Sequence, residues 1–305
     1  MTATGAAGPP PGRGSLGAWV LLAGVVLVWG WNWPVMKTGL AHIGPFWFGV
    51  VRCWIGAACL FGVLLATGGR TGLPDRQDWP IVAIAGLFQM AAFLVLVHAA
   101  LLLVGAGRAA VIAYTTPLWV VPGAVWLLGE RLTAAKALGV ALGLAGLLAL
   151  FNPFTFAWSD GGQVLGNALL LLAALCWAVA ILAIRRHRFA RPVLELTPWQ
   201  LLLASLPLLP LALLLEGAPP ANWPAPLLFA VFYNGPLATA FCYWATVVIA
   251  RDLPAMTSAV GFQLVPVMGV AASAIVLDEA LGPELLAGMA LVAAGMILAT
   301  RPGRA

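Results

Sequence analysis

The chain has 305 residues, 63% of them hydrophobic and only 8% charged, with a formal net charge of +5 and a mean hydropathy of +1.02. A soluble domain carries about 25% charged residues, so this composition leaves too little polar surface to face water and implies a chain embedded in a bilayer. The basic residues lie between apolar runs and are not gathered into a basic domain, which argues against a nucleic-acid partner.

Residues 1–15, MTATGAAGPPPGRGS, read as a disordered cytoplasmic tail. They lack the short apolar region and cleavage site of a secretory signal, so the first apolar run is expected to stay as a helix. A spanning helix needs about 20 mostly apolar residues, and ten such runs follow. The first five extend from about Leu16 to Met36, Pro45 to Thr67, Trp79 to Val104, Ala109 to Leu128 and Ala134 to Phe151. The second five extend from Leu165 to Ile184, Trp199 to Leu215, Leu227 to Ile249, Ala255 to Leu277 and Leu285 to Thr300. With the N-terminus inside, 12 of the 15 Lys and Arg residues fall in cytoplasmic segments, as the positive-inside rule requires. The expectation is an all-α integral membrane protein of ten transmembrane helices with both termini cytoplasmic. Cys53, Cys59, Cys176 and Cys242 all sit in apolar runs without C-x-x-C spacing, so neither disulfides nor a metal site is expected.

A shift of 149 residues lays spans four and five on spans nine and ten without a gap. Pro117 falls on Pro266, Glu130 on Glu279, Gly139 on Gly288, Gly146 on Gly295 and Pro153 on Pro302. Trp29 lies 148 residues before Trp177, and Trp79-Pro80 lies 144 before Trp223-Pro224. Two five-helix units are therefore expected, over 16–153 and 162–302. Five is odd, so the second unit enters the membrane from the opposite side, and such inverted repeats are a hallmark of secondary transporters that enclose a midplane site.

The stretch VWGWNWPVMK (28–37), Arg52 in span two, and the paired segments Pro117 to Gly139 and Pro266 to Gly288 together resemble the EamA-type drug/metabolite transporter superfamily. The resemblance covers both halves, and the overall pattern looks most like the bacterial YddG-type exporters of amino acids. It implies ten helices in a basket, a central cavity lined by spans one, three, four, six, eight and nine, and export from the cytoplasm across the bacterial inner membrane.

Candidate cavity residues follow from helical phase. Trp29, Asn32, Trp33 and Met36 share one face of span one by the i, i+3, i+4, i+7 rule. An amide facing lipid is costly, so Asn32 should face the interior. Trp31 and Trp33 are alternatively interfacial belt residues. Spans four and nine place Tyr114 and Gln263 three residues before Pro117 and Pro266, the candidate hinges, each proline freeing the carbonyl four residues earlier. Span three offers Gln89 and His98, span six Trp177, and span eight Tyr233, Asn234 and Tyr243. Asn234 precedes Gly235-Pro236, where the helix is expected to be interrupted. His98 reads as a packing residue, a proton-linked group or a substrate contact. Arg52 attracts a substrate carboxylate, snorkels outward or binds helix-end carbonyls. Glu130 and Glu279 read as structural, near the N-termini of the last two helices of each half.

Indoles, phenols and amides with almost no fixed charge suit neutral or zwitterionic solutes with apolar portions, and phosphates would need several midplane cations. Without H-E-x-x-H, G-x-S-x-G or a P-loop, no enzyme, cofactor or ATP coupling is suggested. The expected partners are a small-molecule substrate and the lipid bilayer, a monomer being sufficient. The expected function is export of amino acids, neutral or aromatic favoured, by alternating access. Multidrug or lipophilic-cation efflux, a passive channel and a membrane scaffold are the alternatives.

Overall fold

A backbone in hydrocarbon must satisfy its own hydrogen bonds, which a helix does within one segment. The computed structural model describes residues 16–129, 131–151, 159–253, 258 and 261–299, and their regular structure is all helical. The first half contains α1 (Leu16–Leu40), α2 (Pro45–Thr67), α3 (Trp79–Leu101), α4 (Ala106–Leu128) and α5 (Ala134–Phe151). The second contains α6 (Gly161–Arg186), α7 (Val193–Leu215), α8 in the three segments Ala225–Phe232, Tyr233–Phe241 and Cys242–Asp252, α9 (Leu264–Leu277) and α10 (Pro283–Ala299). Seven of these helices are long and apolar enough to cross a membrane, and α5, α9 and α10 hold shorter apolar stretches. The N-terminal tail, Glu130, Pro153, Pro302 and the start expected for span nine lie outside the described residues.

Three expected spans, those of α3, α4 and α8, are not continuous α-helix, and the chain also turns at Gln263 immediately before α9. α3 is π-helical over Ala85–Ala92 and α8 over Tyr233–Phe241. A 144-residue shift puts Gln89 of the first π segment on Tyr233 of the second. α4 breaks after Ala113 and resumes at Thr116. In α8 Pro236 lies inside the π segment, so the interruption expected near Asn234 takes the form of a wide turn. π-turns are rare and concentrate at functional sites.

Glycines set the closest helix contacts. On α10, a Cβ added at Gly295 would lie 2.6 Å from both the Gly139 carbonyl and the Gly143 amide of α5. Repeat-related glycines thus pack on one another, and small residues of this kind let membrane helices approach closely. Similarly, a Cβ at Gly269 of α9 would meet Ala110 at 2.9 Å and Trp33 at 3.0 Å, which brings α9 onto α1 and α4. Gly68, Gly129 and Gly217 take left-handed φ values of 72°, 67° and 76° just past α2, α4 and α7, the usual glycine helix stop. Asp278, which the 149-residue shift places on Gly129, ends α9 with a φ of 50°.

Acidic residues tie helix ends of one half to those of the other. At the end where α1 finishes, Glu279 accepts from the Ala106 and Gly107 amides at 2.7 and 2.9 Å, and Lys37 Nζ donates both to Glu279 (3.2 Å) and to the Val104 carbonyl (2.9 Å). Glu279 therefore caps α4 and not the adjacent α10, whose first turn instead carries Glu284. At the same end Glu216 caps α2 through the Phe46 and Trp47 amides at 2.8 and 3.0 Å. Carboxylates are favoured there by free amides and the helix dipole. At the opposite end, buried Asp78 accepts from His187 Nε2 (2.9 Å) and from the Ala190 and Arg191 amides (both 3.1 Å) just before α7. Burial alone would raise the Asp78 carboxyl, but these donors outweigh it and hold it below the usual carboxylate range.

Candidate functional site

Between the capped ends, polar and aromatic side chains from both halves meet. The face of α1 read from the sequence points inward: Asn32, Trp33 and Met36 are buried and Trp29 is half-buried, whereas Trp31 is half-buried off that face. Trp29 Nε1 donates to the Ala238 carbonyl in the π segment of α8 at 2.8 Å. Its ring packs edge-on against Tyr243 at 6.4 Å and tilted against Phe262 at 6.0 Å. Tyr243 in turn donates to Met90 Sδ in α3 at 3.2 Å. Phe93, one turn along α3, carries Trp177 of α6 edge-on at 4.5 Å. Trp33 packs edge-on against Tyr114 of α4 at 6.4 Å. These contacts make up an aromatic assembly drawn from α1, α3, α6, α8 and the residues preceding α9, in which the Met90 thioether links Tyr243 to α3 and Trp33 of the same α1 face carries Tyr114.

Polar groups inside it are left open. Among the described residues, Asn32 Oδ1, Asn234 Oδ1 and Gln263 Oε1 are buried without a hydrogen-bond partner. Buried polar atoms are paired in the great majority of cases; of the seven such bare atoms among the described residues, these three are the amide oxygens, next in sequence to Trp33, Tyr233 and Phe262, which makes them candidates to receive a donor from outside the chain. Asn234 Nδ2 spends its own donor on the Ala230 carbonyl one turn back. Tyr233 ties α8 to α1 by donating to the Val28 carbonyl at 2.9 Å. Gln89 is buried in the π segment of α3, one residue from Met90.

Arg52, ambiguous in the sequence, is 7% exposed and does not snorkel. Its Nε donates to Thr239 Oγ1 at 3.0 Å and its Nη1 reaches Met36 Sδ at 3.4 Å. Sequence reasoning missed Thr239 and Met90, which carry no charge and look like packing residues. Their one legible signal was position: Met90 follows Gln89, and Thr239 lies on α8 one turn before Tyr243.

Two expectations are placed elsewhere. His98 is fully buried near the other end of α3, its Nδ1 donating to the Pro45 carbonyl at 3.2 Å and its ring against Phe48 at 4.9 Å. Eight residues of helix separate it from Met90, about 12 Å, and the structure does not bring it to the aromatic assembly. The Ala113 carbonyl freed by Pro117 is not left open either, because Thr116 Oγ1 donates to it at 3.1 Å. Pro117 instead sits at the start of the second segment of α4, and Pro266 in the first turn of α9 after Gln263. A separate cleft of about 360 Å³, lined by Val35, Thr38, Ala225, Pro226, Phe229 and Val276, opens between α1, α8 and α9 away from these polar groups. Its lining is almost wholly apolar, and the central assembly, with its unpaired acceptors, is the better candidate for solute recognition.

No cluster of three or more His, Cys, Asp or Glu side chains suited to a metal occurs among the described residues. The four cysteines are free.

The EamA-like transporter family profile matches residues 16–152 and again 164–301. An uncharacterized transporter of Bacillus subtilis, YoaV, is 25% identical over 276 residues, covering 90% of this chain and 94% of that protein. A probable amino-acid metabolite efflux pump of Salmonella typhimurium is 28% identical over 288 residues, covering 90% of this chain and 91% of that one. A solved crystal structure with 26% identity superposes at a TM-score of 0.65 and covers 93% of this chain and 97% of its own. This multi-pass membrane chain is a transporter and not an enzyme: with two matching halves, it belongs to the EamA-like transporter family.

Proposed function

We propose that the protein is a secondary exporter of amino acids, neutral or aromatic ones favoured, in the bacterial cytoplasmic membrane. The ten helices all span, both termini lie in the cytoplasm, and the two halves form an inverted repeat around the aromatic assembly. The observation that carries this reading is the assembly itself: rings and unpaired amide oxygens contributed by both halves at the bundle centre. The amino-acid assignment is supported by the relative named as an amino-acid efflux pump and by the likeness to YddG-type exporters.

In this reading the end bearing Lys37 faces outward and the end bearing Asp78 faces the cytoplasm, in keeping with the basic residues at 185–191. The Lys37–Glu279 pair then closes the outer side by holding α4 to the loop between α9 and α10. Opening requires the hairpins α3–α4 and α8–α9 to move against the remainder, with the helix breaks ahead of Pro117 and Pro266 as hinges.

The test is efflux from proteoliposomes loaded with labelled amino acids and, separately, a lipophilic cation, with and without a pH gradient. Saturable amino-acid release that excess unlabelled amino acid suppresses is the expected result. Release of the cation alone makes the protein a drug-efflux carrier, and non-saturable release of every solute makes it a channel.

A further inference from the structure

We infer that Arg52 is the carboxylate-binding residue of this site, so that its substrates are carboxylate-bearing solutes, with the bare amide oxygens of Asn32 and Gln263 receiving the solute's ammonium group. The inference rests on the transporter reading above and adds a residue and a chemical requirement to it.

A guanidinium has five N–H donors and no acceptor. Among the described residues Arg52 has one strong acceptor, the Thr239 hydroxyl, and the Met36 thioether is a weak one. No carboxylate pairs with it among the described residues. Desolvating a cation costs several kcal/mol unless an anion and further hydrogen bonds compensate, and inside a membrane bundle ionisable residues are rare and tend to mark pathways. A purely structural arginine here would take helix-end carbonyls or reach a helix end, and Arg52 does neither. It is a charge held ready, with no anionic partner among the described residues.

Its surroundings fit the rest of a zwitterion. Thr239, which anchors the guanidinium, follows Ala238, which anchors the Trp29 indole, so cation and ring are fixed to consecutive residues of the π segment. Met36 lies one turn from Asn32 on α1, a rise of about 6 Å, and Asn32 Oδ1 has no partner. Gln263, whose Oε1 is also bare, follows Phe262, the ring tilted against Trp29. Along α1 the Arg52 contact at Met36, the bare Asn32 oxygen and the Trp29 ring follow one another at intervals of about one turn, with Gln263 beside the Phe262 ring, an order that matches a carboxylate, an ammonium group and an apolar side chain. The same fixed positive charge repels a lipophilic cation, which sets amino-acid export apart from cation efflux on physical grounds.

The experiment is counterflow by the purified full chain in proteoliposomes, with labelled L-phenylalanine challenged by unlabelled L-phenylalanine, by its carboxamide, or by phenethylamine. Wild type should be inhibited by the acid at a concentration at least tenfold below that needed for either analogue, both of which keep the amino group and lack the carboxylate. Arg52→Gln should raise the half-saturating phenylalanine concentration at least tenfold and shrink the acid-to-amine preference, and Arg52→Lys should keep the preference. A purely structural role would lower activity without moving that ratio, and an unchanged ratio in Arg52→Gln overturns the inference while leaving the transporter reading intact. Should Arg52→Gln fail to fold, thermal stabilisation of wild type decides, because a ligand that binds the folded state raises its stability. Stabilisation by the acid and not by the amine supports the carboxylate requirement, and equal stabilisation overturns it. If wild type carries no carboxylate at all but does carry another solute, both readings fall together.

Discussion

At the scale of single residues, the argument turns on which atoms of the aromatic assembly do more than fill space. Tyr243 contributes a ring to Trp29 and a hydroxyl to Met90. Sulfur is a weak acceptor, whereas an aromatic pair adds about 0.5–1.5 kcal/mol beyond its buried area. Tyr243→Phe is therefore expected to change the half-saturating substrate concentration less than threefold, and Tyr243→Ala to raise it about tenfold, in the same counterflow assay. Equal losses in the two variants would mean that the hydroxyl touches the solute directly. The inward face of α1 was legible from sequence because Trp29, Asn32, Trp33 and Met36 repeat at helical spacing, and an amide with no lipid-facing option has only the interior left. Arg52 was not, since phase gives a direction but not the depth or the side chain opposite. The same shortfall kept His98 among the candidates: the sequence put it in a span, and only the packing against Phe48 and the Pro45 carbonyl shows where along α3 it is used.

At the scale of elements, helices that depart from regularity separate the moving parts from the fixed ones. α4 breaks at Tyr114 and Thr115, where the Thr115 and Thr116 hydroxyls take the Ile112 and Ala113 carbonyls. The break is thus fully hydrogen-bonded, and Pro117 prevents it from healing into continuous helix. Pro117→Ala should let the helix close up and slow transport severalfold at unchanged substrate affinity, measured as maximal counterflow rate against half-saturation. An unchanged rate at equal expression would remove the hinge role. Hydropathy located all these spans, yet the π segments of α3 and α8 were invisible to it, because one extra residue in a turn leaves length and composition unaltered. Only the Gly235-Pro236 pair hinted at the second. The loop joining α2 to α3 supplies a firmer clamp. Asp78 titrates below its unfolded value, so its contribution is complete above about pH 4 and is lost as pH falls through the lower folded value. Asp78→Asn should cost about 1 kcal/mol near neutral pH and should abolish that part of the acid-induced fall in thermal stability which wild type shows below pH 4.

Across the whole molecule, an inverted repeat of the kind proposed would make the two membrane faces chemical counterparts. Its glycines were readable as a 149-residue shift, and in the fold they meet: Gly295 on α10 faces Gly139 on α5 while Gly146 on α5 faces Gly288 on α10, so the two halves touch at equivalent points. The Lys37–Glu279 latch, outward in the proposed orientation, has a counterpart of the same kind in the sequence. Glu279 falls on Glu130 by the 149-residue shift, and Lys37 falls on Arg185 by the 148-residue shift that aligns Trp29 with Trp177. If the halves exchange roles as the site changes face, Glu130 and Arg185 form the cytoplasmic latch, and removing either carboxylate must push the equilibrium in opposite directions. Charge-assisted bonds such as those from Ala106 and Gly107 to Glu279 contribute about 1.5–3 kcal/mol, which corresponds to roughly 10- to 150-fold in a two-state population. Ser273 reports on this, being buried on α9 beneath the latch, 3.6 Å from where a Gly107 Cβ would lie. In a background lacking the four native cysteines, Ser273→Cys should react slowly with a membrane-impermeant thiol reagent applied from outside. Adding Glu279→Gln should speed that reaction at least tenfold, and adding Glu130→Gln should slow it further. Acceleration by both would show that each carboxylate merely stabilises the closed bundle, and the exchange of roles between the halves would have to be abandoned.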